Sequence, residues 1–285
     1  MERFRWDLGK ELPGDRHLSL EGDALLGCRV ALLICGGIAA YRSPDLIRGL
    51  RRQGAEVQVY ATPEALRFVT KDVLEWSSLN PLIVGLDGRA QHVEDGRGTD
   101  LYMLVPATYS TLNKFALGLA DNAVTTTLAT ALGRMQAGSC RVQVVPTMHG
   151  SMLNDVLRGS LARLNDLGVE IIAPRPGAGK ANIPSVESLV DSAARGLAGH
   201  ASHPDLRNLK VLITGGPTPV PIDAVRMLSN RFSGATAIVI AQDFYRAGAQ
   251  VKLLLSGTNL PSPSWIPTQR VDSFDAYRQA CAETP

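Results

Sequence analysis

The stretch Arg29-Val-Ala-Leu-Leu-Ile34, followed directly by Cys35-Gly-Gly37, decides the fold. Its apolar residues run on without polar alternation, which indicates a strand buried on both faces, as in a parallel sheet. Residues 38–53 become basic towards their end, which suits the last turn of a helix, and Gly54 follows as a stop signal. We therefore expect a strand, a tight glycine turn and a helix, the opening unit of an α/β fold.

The alternation of strands and helices continues through the first 200 residues. Further strands are predicted at residues 56–60, 101–105, 142–145 and 169–173, and helices at residues 110–119, 151–167 and 185–197, the last capped by Ser185. This order predicts an α/β domain with a doubly wound parallel sheet over residues 27–198, after an N-terminal extension of residues 1–26. Ligands of such sheets bind beyond the carboxyl ends of the strands, so residues that directly follow strands are the site candidates.

A second, smaller unit follows a polar segment, residues 199–208, that lacks periodicity and predicts a linker. The elements predicted after it are strands at residues 209–213 and 250–255, a tight loop at 214–218, and helices at 234–247 and 273–282. Two strands and two helices make a small sheet, so we interpret residues 209–285 as the beginning of a second Rossmann-like domain.

Composition excludes several classes of function. The chain has 285 residues with 29 basic and 27 acidic side chains, a balance that gives no electrostatic reason to expect nucleic acid or a membrane surface as partner. No segment reads as a signal peptide or as a membrane helix of about 18 apolar residues. The four cysteines have no metal-ligand spacing, so no metal site is predicted, and we expect buried free thiols in a cytoplasmic protein.

The strand ends carry small and hydroxylated residues. Gly36-Gly37 could let an anionic ligand approach the backbone at a helix N-terminus, or could simply form a tight turn. Thr62, which follows the second strand, could bind a phosphate or cap a helix. Residues 106–111 and 120–126 could cradle a planar polar ring and a phosphate, or supply ordinary loop and cap contacts.

Taken in order, these segments resemble those of the homo-oligomeric flavin-containing cysteine decarboxylases. The segments that carry the resemblance are Gly36-Gly-Ile-Ala-Ala-Tyr41, Pro106-Ala-Thr-Tyr-Ser110, Gly118-Leu-Ala-Asp-Asn122 and Val145-Pro-Thr-Met-His149. His92 lies fourteen positions before Pro106, where the active-site histidine of that family would fall. Each motif is modest alone, and their shared order makes the resemblance specific.

The resemblance implies FMN-dependent decarboxylation of 4'-phosphopantothenoylcysteine to 4'-phosphopantetheine in coenzyme A biosynthesis. It implies a homo-oligomer, a trimer or a dodecamer, with FMN at a subunit interface. The residues to which it gives roles are catalytic His92, Ser110 and Lys180, FMN-binding Gly36, Gly37, Ile38, Thr62, Ala107, Thr108 and Thr125, and substrate-binding Met148, His149 and Asn122.

The second unit resembles the opening of phosphopantothenate–cysteine ligases. Thr214-Gly-Gly-Pro-Thr218, Ile222-Asp223 and Ser229-Asn-Arg-Phe-Ser-Gly234 carry this resemblance, although Phe232 stands where those ligases have a serine. The implied nucleotide-binding residues are Gly215, Gly216, Thr218, Asp223, Ser229 and Asn230. CTP and Mg²⁺ would serve a complete domain, and we expect a vestigial or incomplete ligase domain here.

Two departures keep other functions open. Tyr109-Ser110 replaces the alanine and the substrate-binding asparagine of the decarboxylases. The flap region at residues 176–183 has no cysteine, and its Gly-Lys-Ala resembles the archaeal type; Lys180 there would contact substrate, replace the acid, or be a solvated loop residue. The alternatives are a related flavoprotein with another substrate, of the flavin prenyltransferase or peptidyl-cysteine decarboxylase type, and a non-catalytic flavin-binding subunit.

Overall fold

A five-stranded parallel sheet forms the centre of the first domain in the computed structural model, which describes residues 18–88, 90–93, 98–177, 179–200 and 203–283. Its strands are β1 (Arg29–Ile34), β2 (Glu56–Ala61), β3 (Leu101–Ala107), β4 (Arg141–Pro146) and β6 (Glu170–Ile171), in the order β2-β1-β3-β4-β6. The chain therefore reverses direction across the sheet between β1 and β3, the place where doubly wound sheets open a crevice. Residues 1–17 of the predicted N-terminal extension lie outside the described residues.

Helices cover both faces of this sheet. The helices are α1 (Ser43–Arg52), α2 (Lys71–Ser78), α3 (Tyr109–Leu117), α4 (Ala123–Gln136), α5 (Asp155–Asp166) and α6 (Val186–Gly196). Apolar side chains of α1, α2 and α6 join one core, and those of α3, α4 and α5 join the other. The predicted doubly wound sheet is confirmed. No helix in the described part of the chain has the length and apolarity needed to cross a membrane.

Strand β1 supplies side chains to both cores. Val30, Leu32 and Ile34 face the core beneath α1 and α6, whereas Ala31 and Leu33 face the core beneath α3 and α4. Successive side chains of a strand point to opposite faces, so a strand buried on both sides must be apolar throughout. Each fully buried leucine contributes about 1.5–3 kcal/mol to stability, which explains why this short run determines the fold.

Several predicted boundaries were wrong for identifiable reasons. Residues 38–53 were expected to form one helix, but a 3-10 turn (Ile38–Arg42) precedes α1, because Pro44 has no N–H to bond the preceding turn and therefore lies in the first turn of a new helix. Helix α5 begins after residue 154 rather than at 151, because Asn154 caps it. Strand β6 is shorter than the predicted 169–173. Helix α4 was missed altogether, although Asn122 and Thr125 form a reciprocal capping box at its start.

A three-stranded antiparallel ribbon was also missed. It consists of β5 (Met148–His149), β7 (Arg175–Gly177) and β8 (Lys180–Asn182), in the order β5-β8-β7. These strands have two or three residues each, too few for an alternating pattern to be recognised in the sequence. We call this element the flap ribbon.

The second domain contains a three-stranded parallel sheet. Its strands are β9 (Lys210–Gly215), β12 (Gln250–Ser256) and β13 (Thr268–Val271), in the order β13-β12-β9, and it carries helices α7 (Ala235–Arg246) and α8 (Phe274–Ala282). A small antiparallel pair, β10 (Val220–Pro221) and β11 (Met227–Leu228), stands apart from this sheet. The predicted count of two strands was wrong, because Thr-Gln-Arg-Val in β13 lacks a clear apolar pattern.

A buried carboxylate joins the two domains. Helix α6 packs against α7, and Asp191 of α6 is almost fully buried. Its oxygens accept hydrogen bonds from Arg246 Nε at 2.7 Å, from Trp265 Nε1 at 3.0 Å and from Gln242 Nε2 at 3.3 Å. One carboxylate of the first domain thus satisfies three donors of the second, which makes it the central polar contact between them.

A second polar contact lies beside it. Arg195 donates to the carbonyl oxygens of Tyr245 and Ala249, and its guanidinium lies 4.6 Å from the centre of the Tyr245 ring. Burial raises the pKa of the nearby Glu170 carboxyl, while a hydrogen bond from Gln143 and the charge of Arg195 oppose that rise. The interface therefore depends on satisfied polar groups as well as on apolar packing.

Asp191→Asn should weaken the contact between the domains. The substitution removes the charge that pairs with Arg246 and replaces one acceptor oxygen with a donor. We therefore expect the free energy of unfolding to fall by about 2–4 kcal/mol. The Arg246 side chain is 24% exposed, so water can partly replace the lost partner, and the loss is not larger. Thermal unfolding and limited proteolysis within residues 199–208 measure the effect. Asp155→Asn is the matched control, because Asp155 and its partner Arg158 are both exposed. It should change neither the thermal stability nor the rate of proteolysis. Equal behaviour of the two variants would contradict this account.

Candidate functional site

A groove of about 410 Å³ lies at the carboxyl edge of the first sheet. Its walls come from the turn after β1, from the end of β3, from the residues around β5 and from the flap ribbon; they include Gly37, Ile38, Tyr41, Arg42, Pro106, Thr147, Met148, His149, Arg175, Lys180 and Asn182. Pro106 follows a cis peptide bond. The groove occupies the position beyond the strand ends where doubly wound sheets bind ligands.

The two glycines after β1 have different roles. A Cβ at Gly36 would lie 2.4 Å from the Cβ of Glu64, so Gly36 is required for the packing of the turns after β1 and β2. Gly37 lines the groove, and its surroundings leave room for a side chain. A Cβ placed there would lie 3.6 Å from Thr108 Cγ2, an ordinary van der Waals distance. Ile38 is 73% exposed and Tyr41 is 57% exposed, so this turn presents two large apolar side chains at the groove.

Thr62 provides a buried hydroxyl group without a hydrogen-bond partner. It follows β2, and its backbone N–H donates to the carbonyl oxygen of Ile34 at the end of β1. The hydroxyl makes no capping contact, although capping was one of the two predicted roles. Buried hydroxyls are rarely left unpaired, and this one lies at the strand ends beside the glycine turn. An orphaned donor in this position fits an anionic group of a ligand.

Residues at the end of β3 are already hydrogen-bonded. Ala107 is fully buried, and Thr108 caps α3 while its hydroxyl lies 3.1 Å from that of Thr111. The thiol of Cys35 donates to the Thr111 hydroxyl at 3.2 Å. Burial raises the pKa of this thiol, against the opposing effect of its hydrogen bonds. Thr108 therefore supports the turn at Gly37, and its methyl group faces that turn.

Eight of the thirteen residues predicted for this site are not among those that line the groove, namely Gly36, Thr62, His92, Ala107, Thr108, Ser110, Asn122 and Thr125. Thr125 and Asn122 bind each other's backbone at the start of α4, with Asn122 Oδ1 accepting from Thr125 N at 3.1 Å and Thr125 Oγ1 accepting from Asn122 N at 3.1 Å. Ser110 is exposed in the first turn of α3. Helix capping, the alternative left open for residues 120–126, accounts for the contacts of the first two within one chain.

His149 and Lys180 do line the groove, together with Met148. The backbone N–H of Ser151 donates to Nδ1 of His149 at 3.3 Å. Because a backbone N–H can only donate, Nδ1 acts as the acceptor, and the neutral imidazole carries its proton on Nε2. His149 can therefore donate a hydrogen bond from Nε2, while Lys180 is exposed on the flap ribbon.

Within one chain, His92 does not reach the groove. It is half-buried, and its Nδ1 is buried without a hydrogen-bond partner. The preceding residue, Gln91, accepts a hydrogen bond from the Tyr60 hydroxyl at 2.8 Å and lines a separate cavity of about 180 Å³ beside the edge strand β2. This contact ties the segment to β2, the edge strand of the sheet. His92 is therefore not among the residues that line the groove within one chain.

A second cavity, of about 650 Å³, lies at the carboxyl end of β9 and the start of α7 in the second domain. Four of the six predicted nucleotide-binding residues line it, namely Gly215, Gly216, Thr218 and Asn230. Gly216 has φ +93°, and a Cβ there would lie 2.1 Å from the Ser256 carbonyl oxygen. Asp223 instead binds Arg226 at 2.7 Å, which lowers the pKa of its carboxyl, and Ser229 lies outside the cavity wall.

Sequence reasoning missed two cationic residues of the groove, Arg42 and Arg175. Arg42 lies within the segment predicted as a plain helix, and Arg175 directly precedes the flap region, residues 176–183, in which only Lys180 was predicted as a site residue. Both could have been predicted from the sequence, because each lies in the segment that follows a strand, at the edge of the sheet where ligands bind.

Comparison with known proteins agrees with this architecture. The Flavoprotein family matches residues 19–197, and the DNA/pantothenate metabolism flavoprotein C-terminal domain family matches residues 206–284. A crystal structure of the FMN-dependent cysteine decarboxylase SpaF resembles 59% of this chain and 96% of its own, with a TM-score of 0.51 and 23% identity, and supports the fold.

Two curated relatives extend across both domains. The coenzyme A biosynthesis bifunctional protein CoaBC of Thermococcus kodakarensis is 33% identical over 244 residues, which are 84% of this chain and 58% of the relative. CoaBC of Escherichia coli (strain K12) is 34% identical over 271 residues, 91% of this chain and 64% of the relative. This chain thus spans less than two thirds of the length of either. Because the Flavoprotein match covers more than half of the sequence, the chain belongs to the flavoprotein family.

Proposed function

We propose that this chain binds FMN in the groove of its first domain and decarboxylates 4'-phosphopantothenoylcysteine to 4'-phosphopantetheine in coenzyme A biosynthesis. The observation that carries the proposal is the groove itself, which the glycine turn, the end of β3 and the flap ribbon form in a chain of the flavoprotein family. The names of the CoaBC relatives point to the same pathway. The chain's four free cysteines suit the reducing cytoplasm, where we place the reaction.

The residues of the groove suit a flavin and an acidic substrate. When bound, FMN supplies the two-electron oxidation of the cysteine end that makes loss of CO₂ possible. Ile38 and Tyr41 provide an apolar surface for a planar ring, and the Thr62 hydroxyl, which is buried and unpaired at the end of β2 outside the groove wall, is a candidate donor to a phosphate that reaches this strand end. On the opposite wall, His149 and Lys180 can donate hydrogen bonds to an anionic group of the substrate.

We propose further that the active protein is a homo-oligomer, a trimer or a dodecamer, in which a neighbouring subunit brings His92 to this groove. Within one chain His92 lies beside β2, and its Nδ1 has no partner. Large side chains at the groove, Ile38 above all, are exposed in the single subunit. A site completed by a second copy explains both features, and it gives Ser110, Thr125 and Asn122 a way to contribute from outside the wall.

The protein loaded with FMN should release CO₂ from 4'-phosphopantothenoylcysteine and form 4'-phosphopantetheine. His92→Asn should keep its FMN and lose turnover by at least about a hundredfold, because it removes the general acid–base group. His203→Asn, at the domain junction, is the matched control and should turn over normally. CO₂ release and product formation are measured together with flavin absorbance.

The outcomes separate the alternatives. A yellow wild-type protein that leaves this substrate unchanged would favour a flavoprotein with another substrate or a non-catalytic flavin-binding subunit. A protein that cannot be loaded with FMN would overturn the whole proposal. Normal turnover by His92→Asn would remove the histidine from the mechanism without affecting the assignment of substrate.

Thr62→Val should have opposite effects on stability and on FMN affinity. The hydroxyl is buried and unpaired in the subunit, so its replacement by a methyl group should leave thermal stability unchanged or raise it. If the hydroxyl donates to FMN, the dissociation constant should rise about tenfold, equivalent to about 1.4 kcal/mol. Flavin fluorescence titration and thermal unfolding measure the two effects. Unchanged FMN affinity would show that Thr62 does not contact the cofactor.

A second function is favoured by the cavity of the second domain. We propose that it binds a nucleotide, CTP with Mg²⁺, as the incomplete counterpart of a phosphopantothenate–cysteine ligase domain. Gly215 and Gly216 pack closely against Ala237 and Ser256 and add no side chain to the cavity wall, where Thr218 and Asn230 supply polar groups. The match of residues 206–284 to the flavoprotein C-terminal domain family supports this proposal.

Wild-type protein should bind CTP with Mg²⁺ in a calorimetric titration, and Thr218→Val should weaken binding severalfold, because it removes a hydroxyl from the cavity wall. Thr130→Val makes the same change on α4, outside this cavity, and should bind CTP like the wild type. Absence of any heat of CTP binding by the wild-type protein would contradict the proposed nucleotide site.

A further inference from the structure

One face of the flap ribbon concentrates positive charge. His149 pairs with Lys180 across β5 and β8, and Asn182 pairs with Arg175 across β8 and β7. Lys180 and Asn182 are two residues apart on β8, so their side chains share a face, and cross-strand partners share it too. The register therefore sets four polar side chains, at least two of them cationic, on one face of the ribbon. Ala181 and its partner Met148 belong to the opposite face.

This charge has no counter-charge within the subunit. Arg175 and Lys180 are exposed, and neither forms an ion pair with any side chain that the structure describes. Arg42 adds a third cation from the opposite wall, beside the ring of Tyr41 at 5.9 Å. No aspartate or glutamate is among the described residues that line the groove. Like charges held close together destabilise a structure unless an anion joins them.

We propose that this ribbon face is the binding site for the phosphomonoester group of the substrate, with Arg175 and Lys180 as its principal contacts. Arg175 can bind two phosphate oxygens at once, Lys180 supplies a mobile point charge, and Asn182 and His149 supply neutral donors beside them. The inference rests on the proposed function, because the phosphate belongs to its substrate. It makes the ribbon the element that selects a phosphorylated substrate over the same molecule without phosphate.

The phosphate of FMN is the other phosphomonoester that could bind the ribbon face. The positions of Thr62 and of the ribbon in the fold favour separate sites for the two phosphates. The orphaned hydroxyl of Thr62 lies at the end of β2, beside the glycine turn after β1. The ribbon is built from residues that follow β4 and β6, on the other side of β1 in the sheet order. These two features lie on opposite sides of β1 and fit two phosphates, that of the cofactor near Thr62 and that of the substrate on the ribbon.

The test uses FMN-loaded protein and two probes, 4'-phosphopantetheine and pantetheine, which differ only in the phosphate. Wild-type protein should bind 4'-phosphopantetheine at least tenfold more tightly in calorimetric titrations. Arg175→Gln should reduce this ratio, and Arg175→Gln combined with Lys180→Gln should abolish it, with the affinity for pantetheine unchanged. Arg163→Gln removes one exposed cation of α5 outside the groove, and it should retain the wild-type ratio.

Each variant is also titrated with FMN and with riboflavin in its apo form. The inference predicts that the double variant discriminates FMN from riboflavin as the wild type does. Loss of that discrimination, with the preference for 4'-phosphopantetheine retained, would assign the ribbon to the cofactor and overturn the inference. A preference for 4'-phosphopantetheine that survives the double substitution would overturn it as well. The proposed function fails separately, as a wild-type protein that takes up no FMN or shows no turnover.

Discussion

The close packing of two turns at Gly36 is the constraint on which the site depends. Strand β1 lies between β2 and β3 at the point where the chain changes direction, so the turns after β1 and β2 must meet over one edge of the sheet. They meet so closely that a Cβ at Gly36 would collide with Glu64. This contact holds the Thr62 hydroxyl beside the glycine turn and leaves Gly37, Ile38 and Tyr41 facing the groove. A residue larger than glycine would separate the turns and change the shape of the site.

The groove combines two kinds of surface because its walls come from elements of different origin. The turn after β1 is an extension of the buried sheet, and it presents glycine and large apolar side chains to the groove, while the unpaired hydroxyl of Thr62 is buried at the end of the neighbouring strand β2. The flap ribbon is a surface element with short strands, and it presents charged side chains that the core could not accommodate without partners. An apolar wall suits a flavin ring, and a cationic wall suits a phosphorylated substrate. The second domain docks elsewhere, through the buried Asp191 on α6, and leaves this groove open.

The fold could be predicted from the sequence, whereas the site could be predicted only in part. Strands such as β1 are apolar because they are buried on both faces, and helix α6 has its cap at Ser185, so local patterns were sufficient there. The flap ribbon has strands of two or three residues and exists through pairing between distant segments, which no local pattern records. Thr62 was predicted as a site residue because it follows a strand, and this remains a prediction. The segment with Asn122 and Thr125 allowed two interpretations, a helix cap and a family motif of the binding site. The contacts within the single subunit are those of the helix cap. The position of His92 depends on a contact with Tyr60 that lies outside its own segment.

The central claim is that FMN binds at the ends of β1, β2 and β3. Hydrogen–deuterium exchange of the full chain, measured by mass spectrometry with and without FMN, tests it most directly. Our account predicts that FMN slows amide exchange in residues 36–42, 61–65 and 106–109, and leaves exchange in residues 213–218 of the second domain unchanged. Unaltered exchange in all three of the first segments under conditions of saturating FMN, or protection confined to the second domain, would contradict it.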